Sequence, residues 1–246
     1  MLTPELNKIL VIDVETVPVK PAFNELSPAL QEIWTEKANR VDPEVPADEL
    51  FFKRGGIYSE FGKIICISVG IFIRNNEENN LQIKIKSFSG NDEKNLLSSF
   101  AKMLNQFYPN PSAFFFCGHN IKEFDIPYIS RRMLINRIQL PQSLRLHEKK
   151  PWEVNHIDTM QLWRFGDYKN FTSLKLLTEL FEIPTPKDDI DGSKVAEVYW
   201  NEKNLARIVN YCNKDVAATA QLYLALSGFP LIQPENVIYA DEKNPE

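Results

Sequence analysis

Two acidic residues end an apolar segment near the start of the chain. Asp13 and Glu15 follow the apolar run 9–12 in the stretch ILVIDVETVP. Side chains alternate along a strand, so both carboxylates would point to the same face, with Cβ atoms about 6–7 Å apart. An ionised carboxylate is costly to bury without a partner. Either the strand runs out into solvent at this point, or a cation lies between the two groups.

Two further carboxylates stand where apolar elements meet polar surroundings. Asp125 follows an apolar strand and a glycine-containing loop in FFFCGHNIKEFDIP, at the start of a helix predicted over 126–138. Capping that helix would explain it without any further role. Asp215 lies at the border of the apolar stripe of a helix predicted over 193–226, with Tyr211 one turn earlier. A carboxylate beside an apolar stripe needs a partner.

Taken together, Asp13, Glu15, Asp125 and Asp215 need compensating cations. Hard oxygen ligands suit Mg²⁺ or Mn²⁺, and the chain has no histidine and cysteine cluster at the spacing of a zinc site. Two such ions about 3.5–4 Å apart form the clamp used in phosphoryl transfer. The sequence therefore predicts a site for two divalent metal ions, Mg²⁺ or Mn²⁺.

The pattern of the elements predicts an α/β fold, a mixed sheet with helices packed on it. Alternating or continuous apolar runs predict strands at 9–14, 63–73, 81–90, 112–120 and 155–163, with a polar hairpin turn at 75–80. Helical spacing predicts helices over 92–107, 126–138, 173–181 and most of 193–226, the third capped by Thr172 or Ser173. Residues 17–62 are interpreted as an insertion that contains a helix in SPALQEIWTEKANR.

The composition is that of a soluble globular protein, with 43% apolar and 25% charged residues among 246. The net charge of −5 argues mildly against nonspecific coating of DNA, without excluding an enzyme of nucleic acids. No signal peptide or membrane-spanning run is recognised, and the three separated cysteines are typical of reduced, buried thiols, so we expect a cytoplasmic protein without membrane contact.

The segments DVET, GHNIKEFDIPYI and YCNKD, in that order, resemble the three motifs of the DEDD 3′–5′ exonucleases. The resemblance is greatest to the stand-alone predicted exonucleases similar to the proofreading domain of family B DNA polymerases. The tyrosine four residues before the last aspartate marks the tyrosine subclass, DEDDy. The resemblance spans about 9–226 and implies a ribonuclease H-like fold. It also implies a single exonuclease domain over 1–246, with the insertion at 17–62 and a short tail at 227–246.

The resemblance also assigns roles to the site residues. Asp13 would bridge both metal ions, and Glu15 and Asp215 would complete the shell of the ion that activates water. Asp125 would hold the second ion through water. Tyr211 would orient the attacking water.

Substrate contacts are expected from the motif neighbours and from one basic segment. Thr16 ends the first motif, and Asn120 and Phe124 match the N-x-x-x-F-D pattern of the second. Phe124 could stack on a terminal base or pack in the core. Arg131 and Arg132 begin the basic segment 130–152, which could guide a phosphate backbone or form an ordinary solvated face.

Other polar and aromatic residues near the motifs receive plainer interpretations. His119 and Asp158 are interpreted as structural, Asp158 as a cap or turn residue. Phe171 and Lys175, at the start of a helix, are weaker candidates for substrate contact.

The resemblance predicts a metal-dependent enzyme that hydrolyses the terminal phosphodiester at the 3′ end of single-stranded DNA. One alternative is an exoribonuclease or oligonucleotide phosphodiesterase with the same site, since sequence alone does not show contacts to a 2′-hydroxyl. Another alternative is a catalytically inactive nucleic-acid-binding module. The sequence names no protein partner.

Overall fold

Strand pairing explains how the first motif is held in the middle of a sheet. The computed structural model describes residues 5–75, 80–167, 171–184 and 190–240. Its six strands form one mixed sheet in the order β5-β4-β1-β2-β3-β6. The strands are β1 (Ile9–Pro18), β2 (Gly62–Arg74), β3 (Leu81–Ser89), β4 (Phe115–Gly118), β5 (Ile157–Asp158) and β6 (Val237–Tyr239). β1 pairs antiparallel with β2 and parallel with β4, so it is a central strand.

Helices cover both faces of this sheet. The α-helices of the described residues are α1 (Pro28–Val41), α2 (Ala47–Arg54), α3 (Glu93–Phe107), α4 (Asp125–Ile135), α5 (Thr159–Arg164), α6 (Leu174–Leu180), α7 (Val195–Trp200) and α8 (Leu205–Leu226), of which α3 and α4 pack on one face of the sheet and α8 on the other. Short 3-10 helices lie at Leu6–Lys8, Phe23–Glu25, Gly55–Ile57, Gln142–Leu144, Pro151–Glu153 and Pro234–Asn236. This mixed sheet with flanking helices confirms the predicted α/β class and agrees with a ribonuclease H-like exonuclease fold. Within the described part of the chain, no helix has the length and apolar character needed to cross a membrane.

The two faces of β1 belong to two different cores. Leu10, Ile12 and Val14 pack with α3 and α4, whereas Ile9 and Val11 pack with α8. Because side chains alternate, the odd-numbered positions that follow Val11 also face α8. The side of β1 that carries the two acidic residues is therefore the side covered by the helix of the third motif.

The insertion between β1 and β2 has a core of its own. Trp34 and Phe51 are fully buried there and meet edge to face, with ring centroids 5.4 Å apart. The Trp34 indole N–H donates to the carbonyl oxygen of Ala47 at 2.7 Å, which ties α1 to α2. The end of the insertion lies against β1, where a side chain on Gly56 would come within 3.0 Å of the backbone of Val17.

Several sequence predictions need correction. β1 continues to Pro18, so the two acidic residues lie inside the strand and not at its end. The strand predicted over 155–163 is mostly helix: β5 has two residues, and α5 begins after Asp158, whose carboxylate accepts the N–H groups of Met160 and Gln161. The predicted tail contributes β6, which pairs with β3.

Other predictions agree with the structure. The helix predicted in SPALQEIWTEKANR is α1, and Ser173 is the cap of α6. The three cysteines are buried, and none of them is in a disulfide bond. The predicted turn at 75–80 falls largely outside the described residues.

Candidate active site

The second motif reaches β1 because β4 is short. β4 pairs with β1 only over residues 9–11, so beyond that point one edge of β1 is open toward the chain that follows Gly118. A side chain on Gly118 would lie 3.0 Å from the Ile12 carbonyl oxygen, so glycine permits this close crossing. The turn then brings Asp125 to the start of α4, where its carboxylate accepts the N–H of Val14. Asp125 thus occupies the free edge of the strand that carries the first motif.

The first pair of carboxylates lies over the same part of β1. Glu15 is buried, and Asp13 is half-buried. A register shift between Glu15 and Thr16 interrupts the pairing with β2 directly after the pair. Bulges of this kind bend a strand and change the direction of its side chains, and they are frequent beside active sites.

The helix α8 supplies the third part of the site. Cys212 lies on its buried face, with Sγ 3.3 Å from Asp13 Oδ2 and 3.5 Å from the Asp13 carbonyl oxygen. The ligand atoms of Asp13, Glu15 and Cys212 all lie within 4.8 Å of one another. Asp215 and Tyr211 are half-buried on the same helix and hydrogen-bond to each other. Three segments far apart in the sequence therefore meet at one point.

The electrostatics show how closely the carboxylates face one another. Burial raises the pKa of Asp13 well above its usual range, and the charges of Asp215 and Asp125 raise it further. Burial also raises the pKa of Glu15 well above its usual range, with the Asp13 and Asp215 charges adding to it. The pKa of Asp125 rises to about 7, mainly through burial and despite its backbone hydrogen bonds. The fold therefore brings together carboxyl groups, each of which makes the ionisation of its neighbours less favourable.

This donor set fits a hard divalent cation. Burial alone would favour neutral carboxylic acids, whereas a cation among the oxygens favours the ionised forms. Each carboxylate offers oxygen ligands, which Mg²⁺ and Mn²⁺ prefer. The thiol of Cys212 is a soft group in the same cluster, and residue type and spacing did not single it out as a ligand. Its position one residue after Tyr211, on the inward stripe of α8, is the only signal that could have indicated it.

Tyr211 lies among these acids as a neutral phenol. Burial, and then the charges of Asp215, Glu15 and Asp13, raise its pKa above the ordinary value. The hydroxyl therefore keeps its proton across the physiological range, and it can donate a hydrogen bond. A tyrosinate base is not what this environment favours.

Thr16, Asn120 and Phe124, which the sequence predicted to contact substrate, have different hydrogen bonds and packing. The Thr16 hydroxyl donates to the Gly56 carbonyl oxygen at 2.8 Å, so it anchors the end of the insertion. Asn120 has a left-handed backbone (φ 65°), and its Oδ1 is buried without a hydrogen-bond partner among the described residues. Phe124 is half-buried and packs on Tyr128, with ring centroids 5.3 Å apart. Of the three, Asn120 has a buried polar atom without a hydrogen-bond partner among the described residues, five residues before Asp125 in the sequence.

The two arginines do not face the carboxylates. Arg132 is buried, and its guanidinium bonds to both oxygens of Glu93, with Nε 2.8 Å from Oε1, and to the Ser59 carbonyl oxygen. This is a correction to the expected phosphate contact, since the charge of Arg132 is already neutralised inside the fold. Arg131 is exposed on the outer face of α4. The spacing of the basic segment could not distinguish these two environments.

A buried carboxylate that sequence reasoning missed holds the elements of the site together. Glu93, at the start of α3, accepts the Ile64 N–H at 2.7 Å and the Asn136 side-chain amide at 2.9 Å, besides its ion pair with Arg132. It therefore joins β2, α3 and α4. Its position in the first turn of a predicted helix suggested only a favourable helix dipole.

His119 and Asp158 have the structural roles expected of them. The His119 ring bonds through Nε2 to the Thr172 carbonyl oxygen at 2.8 Å and through Nδ1 to the Thr159 hydroxyl at 2.9 Å. Asp158 accepts the backbone N–H groups of Asn120 and Lys122 as well as capping α5. Both residues stiffen the turn before Asp125. Of the weaker candidates, Phe171 is 67% exposed beside Thr172, and Lys175 is exposed on α6.

The comparison with known protein families agrees with this geometry. Residues 57–230 match the family described as predicted 3′–5′ exonuclease related to the exonuclease domain of PolB. The match covers most of the chain, and the protein belongs to this family. The matched segment holds Asp125, Tyr211 and Asp215, while Asp13 and Glu15 precede it. No curated protein matches the chain.

Proposed function

We propose that the protein is a metal-dependent 3′–5′ exonuclease that removes nucleotides from the 3′ end of single-stranded DNA. The observation that supports the proposal is the close approach of Asp13 and Glu15, together with the charge interactions that both have with Asp125 and Asp215. A group of mutually repelling acids has no stabilising role of its own, and its chemistry is that of a cation site. Membership of the exonuclease family supports the reaction class.

In this proposal the four carboxylates hold two divalent ions, Mg²⁺ or Mn²⁺. When bound, such a pair activates a water molecule and stabilises the leaving oxygen of a phosphodiester. Asp13, between the other acids, would serve both ions. Glu15 and Asp215 would complete one ligand shell, and Asp125 would serve the other. The Val14 N–H fixes the orientation of the Asp125 carboxylate.

Tyr211 would orient the attacking water. Its hydroxyl stays protonated, because burial and three neighbouring acids raise its pKa. Its hydrogen bond with Asp215 fixes the phenol beside the carboxylates. Tyr211 would therefore act by positioning, and not as a strong base.

For the substrate end we retain Asn120 and Phe124. The Oδ1 of Asn120, which has no partner among the described residues, is an acceptor, and the terminal sugar hydroxyl of a strand is a donor that would satisfy it. The half-buried ring of Phe124 offers a surface for the terminal base. Thr16 would border the site through its backbone. Neither arginine is retained, because Arg132 is ion-paired inside the fold and Arg131 lies on the opposite face of α4.

The test is digestion of a 5′-labelled single-stranded DNA with Mg²⁺ or Mn²⁺, beside an EDTA control. The variants Asp13→Asn and Glu15→Gln change charge with little change of shape, and the exposed Glu179→Gln serves as the matched control. A ladder that shortens from the 3′ end, lost in both site variants and kept in the control, is expected. Full activity of Asp13→Asn would contradict the metal site. Digestion of an RNA strand of the same sequence, with the DNA strand left intact, would identify an exoribonuclease. If both strands stay intact but still bind to the protein, the chain is an inactive binding module.

A further inference from the structure

The outer face of α4 and the chain that follows it form a separate groove of about 860 Å³. Its floor is aliphatic, with contributions from Ile126, Leu134, Leu140 and Leu146. Leu134 is 60% exposed and lies on the side of α4 that lines the groove. A groove of this size is within the range of binding clefts, about 300–1,000 Å³.

The groove does not open onto the carboxylate site. Leu134 follows Asp125 by nine residues, which at 100° per residue places it about 180° around the helix. Asp125 and Arg132 face the sheet, whereas Arg131 and Leu134 face the groove. A DNA strand with its 3′ end among the carboxylates would have to pass around α4 to reach this surface.

Among the described residues that line the groove, the charged groups are mostly cationic. Lys122, Arg131 and Lys149 line it, and Lys150 follows directly in the sequence. Of the described residues that line the groove, Glu123 alone is acidic, and it pairs with Arg164 at 3.5 Å. This positive surface stands out in a chain of net charge −5. It is complementary to an acidic ligand.

A buried histidine forms part of the groove wall. His156 lines the groove, is only 7% exposed, and its Nδ1 has no hydrogen-bond partner among the described residues. Its ring packs edge-on against Phe116, with centroids 5.3 Å apart, so its position is fixed. Buried polar atoms of folded proteins nearly always have a hydrogen-bond partner, and for this nitrogen a bound water or ligand atom would supply one.

We propose that this groove docks an acidic amphipathic peptide of a protein partner. Leucine-type side chains of the peptide would enter the aliphatic floor, and its carboxylates would meet Lys122, Arg131 and Lys149. Proteins commonly recognise amphipathic helices in this way, through anchors spaced by three or four residues in an apolar groove. A single-stranded nucleic acid fits less well, because its bases stack on aromatic rings and the described lining residues include the rings of His147 and the buried His156 but no phenylalanine, tyrosine or tryptophan.

The proposal is tested on the full chain with labelled synthetic peptides and fluorescence anisotropy. The probe is a helix-forming peptide with leucines at i, i+3, i+4 and i+7 and glutamates elsewhere, beside a version in which lysines replace the glutamates. The groove variants are Leu134→Asp and Arg131→Glu. The matched controls are Leu180→Asp, on an equally exposed leucine of α6, and Arg54→Glu, on an exposed arginine of α2.

We expect the acidic peptide to bind and each groove variant to weaken it by about tenfold or more, with both controls unchanged. No binding of the acidic peptide, or equal binding of the lysine version, would overturn the proposal. A labelled oligothymidylate that loses affinity in the groove variants, with no peptide binding, would assign the groove to the nucleic acid instead. Nuclease activity is measured on the same variants and is expected to remain, so failure of the docking proposal and failure of the nuclease proposal are separate results.

Discussion

The buried carboxylate Asp125 should make the metal-free protein less stable as the pH rises. Its pKa is about 7 in the folded chain and 3.8 without the fold. Between these values the unfolded chain has released this proton while the folded chain still holds it. The folded state then binds more protons, so the free energy of unfolding falls with increasing pH.

The size of this effect follows from the difference of about 3 pKa units. At 1.36 kcal/mol per unit, Asp125 removes about 4 kcal/mol of stability between about pH 4 and the region above pH 7. Asp125→Asn removes the titrating group, while its side-chain oxygen can still accept the Val14 N–H. In EDTA, we expect this variant to be about as stable as wild type near pH 4. Above pH 7 it should be more stable by up to about 4 kcal/mol.

The assay is urea unfolding followed by circular dichroism, in EDTA, at a series of pH values. Glu179→Gln, which removes an exposed carboxylate from α6, is the control and should follow wild type. Added Mg²⁺ should raise the free energy of unfolding of the wild-type protein at high pH, because a ligand that binds only the folded state stabilises it. The increase should be much smaller for Asp125→Asn, which lacks one of the proposed metal ligands. Parallel stability curves for wild type and Asp125→Asn across the whole range would refute the argument from burial.

Three further predictions test the structure that supports the site and the role of Tyr211. Arg132→Met should cost about 3–5 kcal/mol of unfolding free energy, because it leaves a buried carboxylate unpaired, and calorimetry that shows no loss would disprove a structural role for the ion pair. Tyr211→Phe should lower kcat about 10²-fold or more while Mg²⁺-dependent stabilisation persists, and wild-type activity should show no decline from tyrosine ionisation up to about pH 10. Gly56→Ala should lower the melting temperature, because the added methyl group would clash with the backbone of β1 and reduce the free energy of unfolding by about 1–3 kcal/mol. Gly192→Ala, where the added methyl group meets open space, should leave the melting temperature unchanged.

Local spacing was enough to predict most of the elements around the site. The apolar runs of β1, β2 and β3 and the periodicity of α1, α3, α4 and α8 are properties of neighbouring residues, and the structure agrees with them. The order of the three acidic motifs in the sequence likewise indicated the family. The prediction failed at 155–163, because the Asp158 side chain captures two backbone N–H groups and starts a helix where the apolar pattern favoured a strand.

The partners of individual side chains were decided by the tertiary structure alone. Arg131 and Arg132 are adjacent, so local sequence does not distinguish them. Arg132 is nevertheless buried and bonded to Glu93, thirty-nine residues away, while Arg131 is exposed. Cys212 lies against Asp13 only because α8 packs across β1, a contact between residues 199 positions apart. The sequence determined which residues could do chemistry, since that depends on residue type and on local periodicity. Which of them share one low-dielectric site depends on contacts between distant segments, which only the packed chain specifies.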